Sequence, residues 1–149
     1  MLIDTTRFGK VEIDGSRIIT FKDGLLGFPD QRRFALIQSS EETIFLWMQS
    51  LDDPSIAFLV CDPLAFVPDY RAQVRADDVK TLELRDLNDC QVLVIVNKSD
   101  GHLTGNLLGP LVIGAQSLKA RQLVLSDKRY GTRHRLAPIE TEKAVSKTA

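Results

Sequence analysis

The chain alternates short apolar runs with glycine, proline and polar punctuation. Three runs dominate its C-terminal half: Gln91–Asn97, Asn106–Gly114 and Arg121–Leu125. Each is rich in valine, isoleucine or leucine and short for a helix, which marks buried strands at the centre of a sheet. Upstream, Arg33–Gln38, Thr43–Gln49 and Ile56–Cys61 repeat the pattern. Asp53-Pro54 and Asp62-Pro63 bracket the last of these, because a residue before proline avoids the helical region. Thr5–Ile13 and Arg17–Phe21, separated by Asp14-Gly15, predict an N-terminal hairpin with its turn at that dipeptide, and Tyr70–Arg75 predicts a further strand. Asp77–Asp86 is the best helical stretch, with an acidic start followed by Val79, Leu82 and Leu84, and predicts two turns.

Strand follows strand with little room for crossover helices. The pattern predicts a mainly β fold: a small antiparallel β-barrel-like single domain with one or two short helices. Residues 1–136 form this domain. Residues 137–149 have no periodic apolar face and are expected to be a flexible tail.

Two apolar loops interrupt the strands. Asp23–Pro29 sets Gly24 and Gly27 around two leucines, with Phe28 held extended by Pro29. Leu25, Leu26 and Phe28 either form an exposed recognition loop or plug one end of the barrel, the plug being the ordinary role of such leucines. The glycine spacing fits neither a dinucleotide fingerprint nor a P-loop. Leu64–Tyr70 carries Phe66 and Tyr70, which either pack beneath their loop or stand out as aromatic interface anchors.

Formal net charge is −1 over 149 residues, but the sum conceals an asymmetry. Residues 41–100 carry twelve acidic and five basic side chains, whereas eight Lys or Arg face three acidic residues from Lys119 onward. An acidic middle suits nucleic acid poorly, since phosphate contacts need Lys and Arg, but it attracts a basic protein partner. Asp77, Asp78 and Glu83 are its candidate contacts; the plainer reading is a solvated surface. The basic cluster Lys128, Arg129, Arg133 and Arg135 has only Tyr130 interleaved, so it reads as a solvated end before an RNA platform.

Chemistry-bearing residues are sparse. Cys61 and Cys90 lie in or beside apolar runs and make no disulfide framework. His102 and His134 lack the spacing of a metal pair. Asn97-Lys-Ser-Asp100 matches the guanine-recognition tetrapeptide of GTPases, but no phosphate loop accompanies it, and it reads as a polar turn. With no catalytic set, metal or cofactor expected, the chain reads as a non-enzymatic binding protein. No apolar run approaches the ~20 residues that span a bilayer, and Met1–Arg7 shows no signal-peptide pattern, so a cytoplasmic location is expected.

A set of short motifs runs through most of the chain: Ile3–Thr5 with Gly9–Val11, Phe21–Phe28, Asp62-Pro63 with Phe66 and Pro68–Tyr70, Asn106–Ile113, and Gln122–Leu125 with Tyr130. In this order over residues 2–136 they resemble the FliW family of flagellar assembly factors. The resemblance implies a small monomeric β-barrel in the bacterial cytoplasm with two protein ligands, flagellin and the translational repressor CsrA, and no direct contact with nucleic acid or membrane. It implies a flagellar assembly factor that keeps the repressor off flagellin mRNA until accumulating flagellin captures the factor. Leu25, Phe28, Phe66, Tyr70, Asp77, Asp78, Glu83 and Asn106 are then partner-binding candidates, and Gly24, Gly27, Pro63, Pro110 and Gln122 structural motif positions. The family often has a longer acidic, aromatic segment near residues 97–105, whereas here the connection is short and not acidic, which bears on repressor contacts. Two other readings stand beside this one: a small β-barrel cofactor-binding enzyme, and a direct RNA-binding module using the basic cluster.

Overall fold

The computed structural model describes residues 1–41 and 43–138. Its strands are β1 (Leu2–Thr5), β2 (Gly9–Glu12), β3 (Ile19–Phe21), β4 (Arg33–Ile37), β5 (Leu46–Ser50), β6 (Ala57–Cys61), β7 (Cys90–Ser99), β8 (His102–Gly105), β9 (Leu111–Gly114), β10 (Lys119–Gln122) and β11 (His134–Pro138). One α-helix, α1 (Ala76–Thr81), precedes β7. Strands β3, β4, β5, β6, β7, β9 and β10 pair in that order and close into a barrel when β10 returns to β3. The mainly β barrel predicted from the sequence is therefore the fold. Its pairs are antiparallel except at the closing seam, where β3 and β10 run parallel with Thr20 opposite Lys119 and Phe21 opposite Ala120.

Strand alternation sorts side chains between the barrel interior and its outer surface. Inside lie Ile19, Phe21, Phe34, Met48, Val60, Leu93, Leu111, Ile113 and Ala120. Each large member contributes about 1.5–3 kcal/mol by leaving water. Phe21 and Phe34 meet edge to face at 5.5 Å. Outside, α1 and the segment after it cover one patch, where Leu82, Leu84 and Leu123 pack on Val112. The second half of β7, β8 and the loops around Tyr70 and Tyr130 cover another, built on Cys61, Val94, Val96, Leu103 and Leu107. Strands β7 and β9 are thus buried on both faces, which is why their sequences read as continuous apolar runs instead of alternating ones.

Several local expectations need correction. The N-terminal hairpin is β1–β2, with Leu2 opposite Glu12 and Thr5 opposite Gly9. Its turn lies at Thr6–Phe8, where Thr5 Oγ1 accepts from the Phe8 amide and donates to the Gly9 carbonyl, both at 2.8 Å. Asp14 instead caps a short 3₁₀ turn, accepting from the Ser16 amide at 2.9 Å. Tyr70–Arg75 forms no strand, because Tyr70 turns inward. The helix is six residues long and stops early: Glu83 takes a left-handed φ of 52°, and the Leu84 amide closes back onto the Val79 carbonyl at 2.9 Å.

Residues 97–99 extend β7, and the polar turn narrows to Asp100-Gly101, with φ of 50° and 77°. That two-residue left-handed turn twists as the β7–β8 hairpin requires. Asn106–Pro110 is a turn, with only Leu111–Gly114 in the strand. Strand β11 reaches Pro138, past the expected boundary at residue 136; the remainder of the expected tail lies outside the described residues.

Candidate functional site

Motif residues of the Asp23–Pro29 loop, the Asn106–Pro110 turn and the end of β10 meet at one place on the barrel. The chain leaves β3 at Phe21 and enters Asp23–Pro29, where Gly24 and Gly27 both adopt left-handed φ, 68° and 83°. Gly24 is the stricter position. A Cβ there would stand 2.4 Å from the Pro29 carbonyl oxygen and 2.7 Å from that of Phe28. This close approach folds the loop back on itself, and Leu25 and Phe28 exchange both backbone hydrogen bonds, at 3.1 and 2.8 Å. The two leucines consequently part company. Leu25 is 3% exposed and belongs to the barrel core, whereas Leu26 is 59% and Phe28 41% exposed. Leu25 fills the plug role and is not exposed as the recognition reading expected, whereas Leu26 and Phe28 stand at the surface. Phe28 also leans edge to face on Phe58, centroids 5.2 Å apart.

Gln122, at the end of β10, fastens this loop to the rest of the barrel. Its Oε1 accepts from the Leu26 amide at 2.8 Å while its Nε2 donates to the Gly109 carbonyl at 3.0 Å. A Cβ on Gly109 would meet the side-chain nitrogens of Asn106 and Gln122 at 2.7 and 2.8 Å, so a larger residue there would displace these two amide tips. Asn106 Oδ1 is buried there without a hydrogen-bond partner. Pro110 is buried next to this cluster and its carbonyl accepts from the Leu123 amide at 2.9 Å. Gln122 thus ties the Asp23–Pro29 loop, shaped by Gly24 and Gly27, to the Asn106–Pro110 turn.

The second aromatic loop begins at Pro63, buried as the first residue of a 3₁₀ turn that Asp62 caps. Phe66 is half-buried and stacks on Phe45 at 6.1 Å. Tyr70 is fully buried, donates its hydroxyl to the Leu107 carbonyl at 2.7 Å, and packs on Tyr130 at 4.9 Å. Burial holds its phenol pKa well above the ordinary value, with the Tyr130 and Asp127 charges adding to the effect. Leu25 and Tyr70 are therefore core residues, and neither presents a side chain to a partner in this conformation.

The acidic candidates are not a bare negative face. Arg121 Nη1 donates to Asp77 at 3.0 Å and to Asp78 at 2.8 Å. Bonding to Asp77 and then Asp78 holds the guanidinium pKa above its usual value. Asp78 is buried and also accepts from the Arg75 amide at 3.0 Å, capping α1. Glu83 is ion-paired with Lys119. The counter-ions were missed in the sequence because they lie on β10, yet a signal existed: Lys119 and Arg121 are two apart on a strand and project to one face.

Among the described residues, no group of three or more His, Cys, Asp or Glu is placed to hold a metal ion. Burial, and next the Asp62 carboxylate, push the Cys61 thiol up to about 12, and burial with Asp89 raises that of Cys90. Thiols held protonated are poor nucleophiles. His102 Nδ1 faces the Asp100 carbonyl at 2.9 Å and its Nε2 meets Arg135, while His134 packs on Tyr130. In the basic cluster, Arg129 is bidentate to Asp127.

Known proteins agree with this architecture. The model of the FliW protein family matches residues 2–136. The flagellar assembly factor FliW of Syntrophus aciditrophicus (strain SB) is 41% identical over 136 residues, covering 90% of this chain and 86% of that protein. That of Bdellovibrio bacteriovorus is 38% identical over 144 residues, covering 95% and 81%. A crystal structure of the flagellar assembly factor FliW superposes with a TM-score of 0.83 at 28% identity, covering 94% of this chain and 99% of that one. The chain belongs to the FliW family of flagellar assembly factors.

Proposed function

We propose that this flagellar assembly factor works by alternately binding two protein ligands, flagellin and a CsrA-type translational repressor. Captured by the factor, the repressor leaves flagellin mRNA free for translation. Flagellin that accumulates in the cytoplasm takes the factor away and returns the repressor to the message. The observation that carries this reading is the Asp23–Pro29 loop: two large apolar side chains, Leu26 and Phe28, stand exposed on a backbone held by Gly24, Gly27 and Gln122. Preorganised apolar anchors lose little entropy on association, which is what a binding surface needs. Membership of an assembly-factor family supports protein partners and not catalysis. No helix of the described residues is long and apolar enough to cross a membrane.

Phe66, Asn106, Asp77 and Glu83 are proposed secondary contacts. The pairing of Asp77 and Glu83 with Arg121 and Lys119 makes charge steering by this face weaker than the acidic composition suggests. Purified protein mixed with flagellin, and separately with the repressor, is expected to co-elute with each on a sizing column at micromolar concentration. Leu26→Asp with Phe28→Ser is expected to abolish at least one complex while leaving the thermal midpoint of this surface variant within a few degrees of wild type. Separate elution of wild-type protein from both partners refutes the reading.

A further inference from the structure

We propose that the edge of β10 left open beyond its seam with β3 is a docking strip for an extended basic segment of a partner protein, added as a strand beside the Asp23–Pro29 loop; the inference rests on the reading that this loop binds proteins. The seam is two residue pairs long, Thr20 with Lys119 and Phe21 with Ala120. After Phe21 the chain folds away, with the Gly24 amide donating to the Phe21 carbonyl at 3.1 Å. The chain of β10 runs on. The Leu123 amide donates to the Pro110 carbonyl at 2.9 Å and the Leu125 amide to the Leu108 carbonyl at 2.8 Å, which keeps the β9–β10 register past Gln122. Arg121, Leu123 and Leu125 thus turn their backbone groups towards β9 and the turn before it. Gln122 and Val124 turn theirs the other way, as Leu118 does when its carbonyl accepts from the Thr20 amide at 3.0 Å. Among the described residues, no hydrogen bond meets the backbone amide or carbonyl of either Gln122 or Val124. Two residues of one edge therefore present donor and acceptor at ladder spacing, the geometry used in β-augmentation.

The space that β3 leaves is a cleft of about 490 Å³, with Ala120, Arg121 and Gln122 on one side and the Asp23–Pro29 loop on the other. Val124 projects on the same face as Gln122, whose side chain holds the Leu26 amide. Val124 is 75% and Leu26 59% exposed, so two apolar side chains flank the open edge and favour apolar residues at alternate positions of an incoming strand. The charge facing the cleft is negative. Asp23 lines it, is exposed, and makes no ion pair among the described residues. Arg121, the cation of the cleft, is shared between Asp77 and Asp78 and outnumbered by them. Lys22 and Lys80 line the neighbouring hollow against α1, and neither pairs with Asp23. Backbone pairing selects an extended segment, and the surplus of carboxylates selects basic side chains between the apolar ones.

The test uses the full-length protein, isotope-labelled for NMR. The probe is an end-blocked heptapeptide alternating valine with lysine. It is expected to shift the Gln122 and Val124 amide resonances with a dissociation constant of about 10⁻⁴ M or tighter, and to slow hydrogen exchange at both amides. The glutamate counterpart, a version with alternate amides N-methylated, and the Asp23→Lys protein with the original peptide are each expected to bind at least about tenfold more weakly. Val124→Pro removes an amide that bonds to nothing in the fold, and is expected to weaken the peptide by a similar factor with a thermal midpoint within a few degrees of wild type. Asp23→Lys, at an exposed side chain, keeps the test readable if the proline disturbs the strand. No resonance shift up to about 1 mM peptide overturns the proposal, as does equal binding of the glutamate or N-methylated peptide. A concentration-dependent dimer that Val124→Pro dissolves would reassign the edge to a second copy of the chain and also overturn it. Failure of the partner reading remains distinguishable: a protein that takes the peptide but ignores flagellin and repressor discards that reading and keeps the docking strip.

Discussion

Replacing Gly24 with alanine should destabilise the protein far more than the same change at Gly27, three residues away in the same loop. Both residues adopt left-handed φ, so each alanine incurs about 1 kcal/mol of conformational strain, partly offset by a less flexible unfolded chain. At Gly27 nothing lies within 4 Å of the new Cβ, and the net loss should stay at or below about 1 kcal/mol. At Gly24 the Cβ meets backbone atoms of Phe28 and Pro29 at 2.4–2.7 Å. Backbone cannot swing aside as a side-chain tip can, so the loop must open. Overpacking of this kind costs about 1–3 kcal/mol, and partial withdrawal of Leu25 from the core adds to it. The expected total is about 2–4 kcal/mol. Equilibrium urea denaturation of the three proteins, with matched slopes, measures the difference directly. Equal losses at the two glycines would refute the claim that close backbone approach, and not φ alone, fixes this loop.

Two further outcomes follow from the paired and buried groups. Arg121→Ala should cost about 2 kcal/mol, because it strands the buried Asp78 carboxylate at the start of α1, whereas Asp77→Asn, at an exposed carboxylate, should change stability by less than about 0.5 kcal/mol; chemical denaturation of both variants separates the cases. Cys61 has a folded-state pKa raised above its unfolded value, so its contribution is fully present below about pH 8.5 and is lost as pH climbs towards about 12. Stability should fall by a few kcal/mol across that alkaline window, on the order expected for such a shift, and the fall should be visibly shallower in Cys61→Ala; identical pH profiles would show that the thiol does not contribute.

The strands were legible in the sequence where burial is simplest. Gln91–Asn97 stands out because β7 is covered on both faces, and Ile56–Cys61 because proline punctuates each end. Local chemistry with two valid uses was harder. Asp14-Gly15 suits a hairpin turn, but Asp14 satisfies its carboxylate by capping a 3₁₀ turn, and the hairpin forms earlier around the Thr5 hydroxyl. The parallel β3–β10 seam left no trace, since register between strands a hundred residues apart is set by tertiary closure. The site divided the same way. Gly24 and Gly27 announced a tight loop, yet only the three-dimensional fold separates buried Leu25 from exposed Leu26. Asp77, Asp78 and Glu83 looked like a free acidic face until β10 supplied their counter-ions, a pairing that residue counts along a segment cannot reveal.

The alternation of partners is tested most directly by competition. Repressor labelled with a fluorophore is bound to the purified factor, and flagellin is titrated in while fluorescence anisotropy is followed. The account predicts that anisotropy falls to the value of free repressor as flagellin approaches stoichiometry, with a factor–flagellin complex appearing on a sizing column. Anisotropy that stays constant, or a stable complex containing all three proteins, would contradict it.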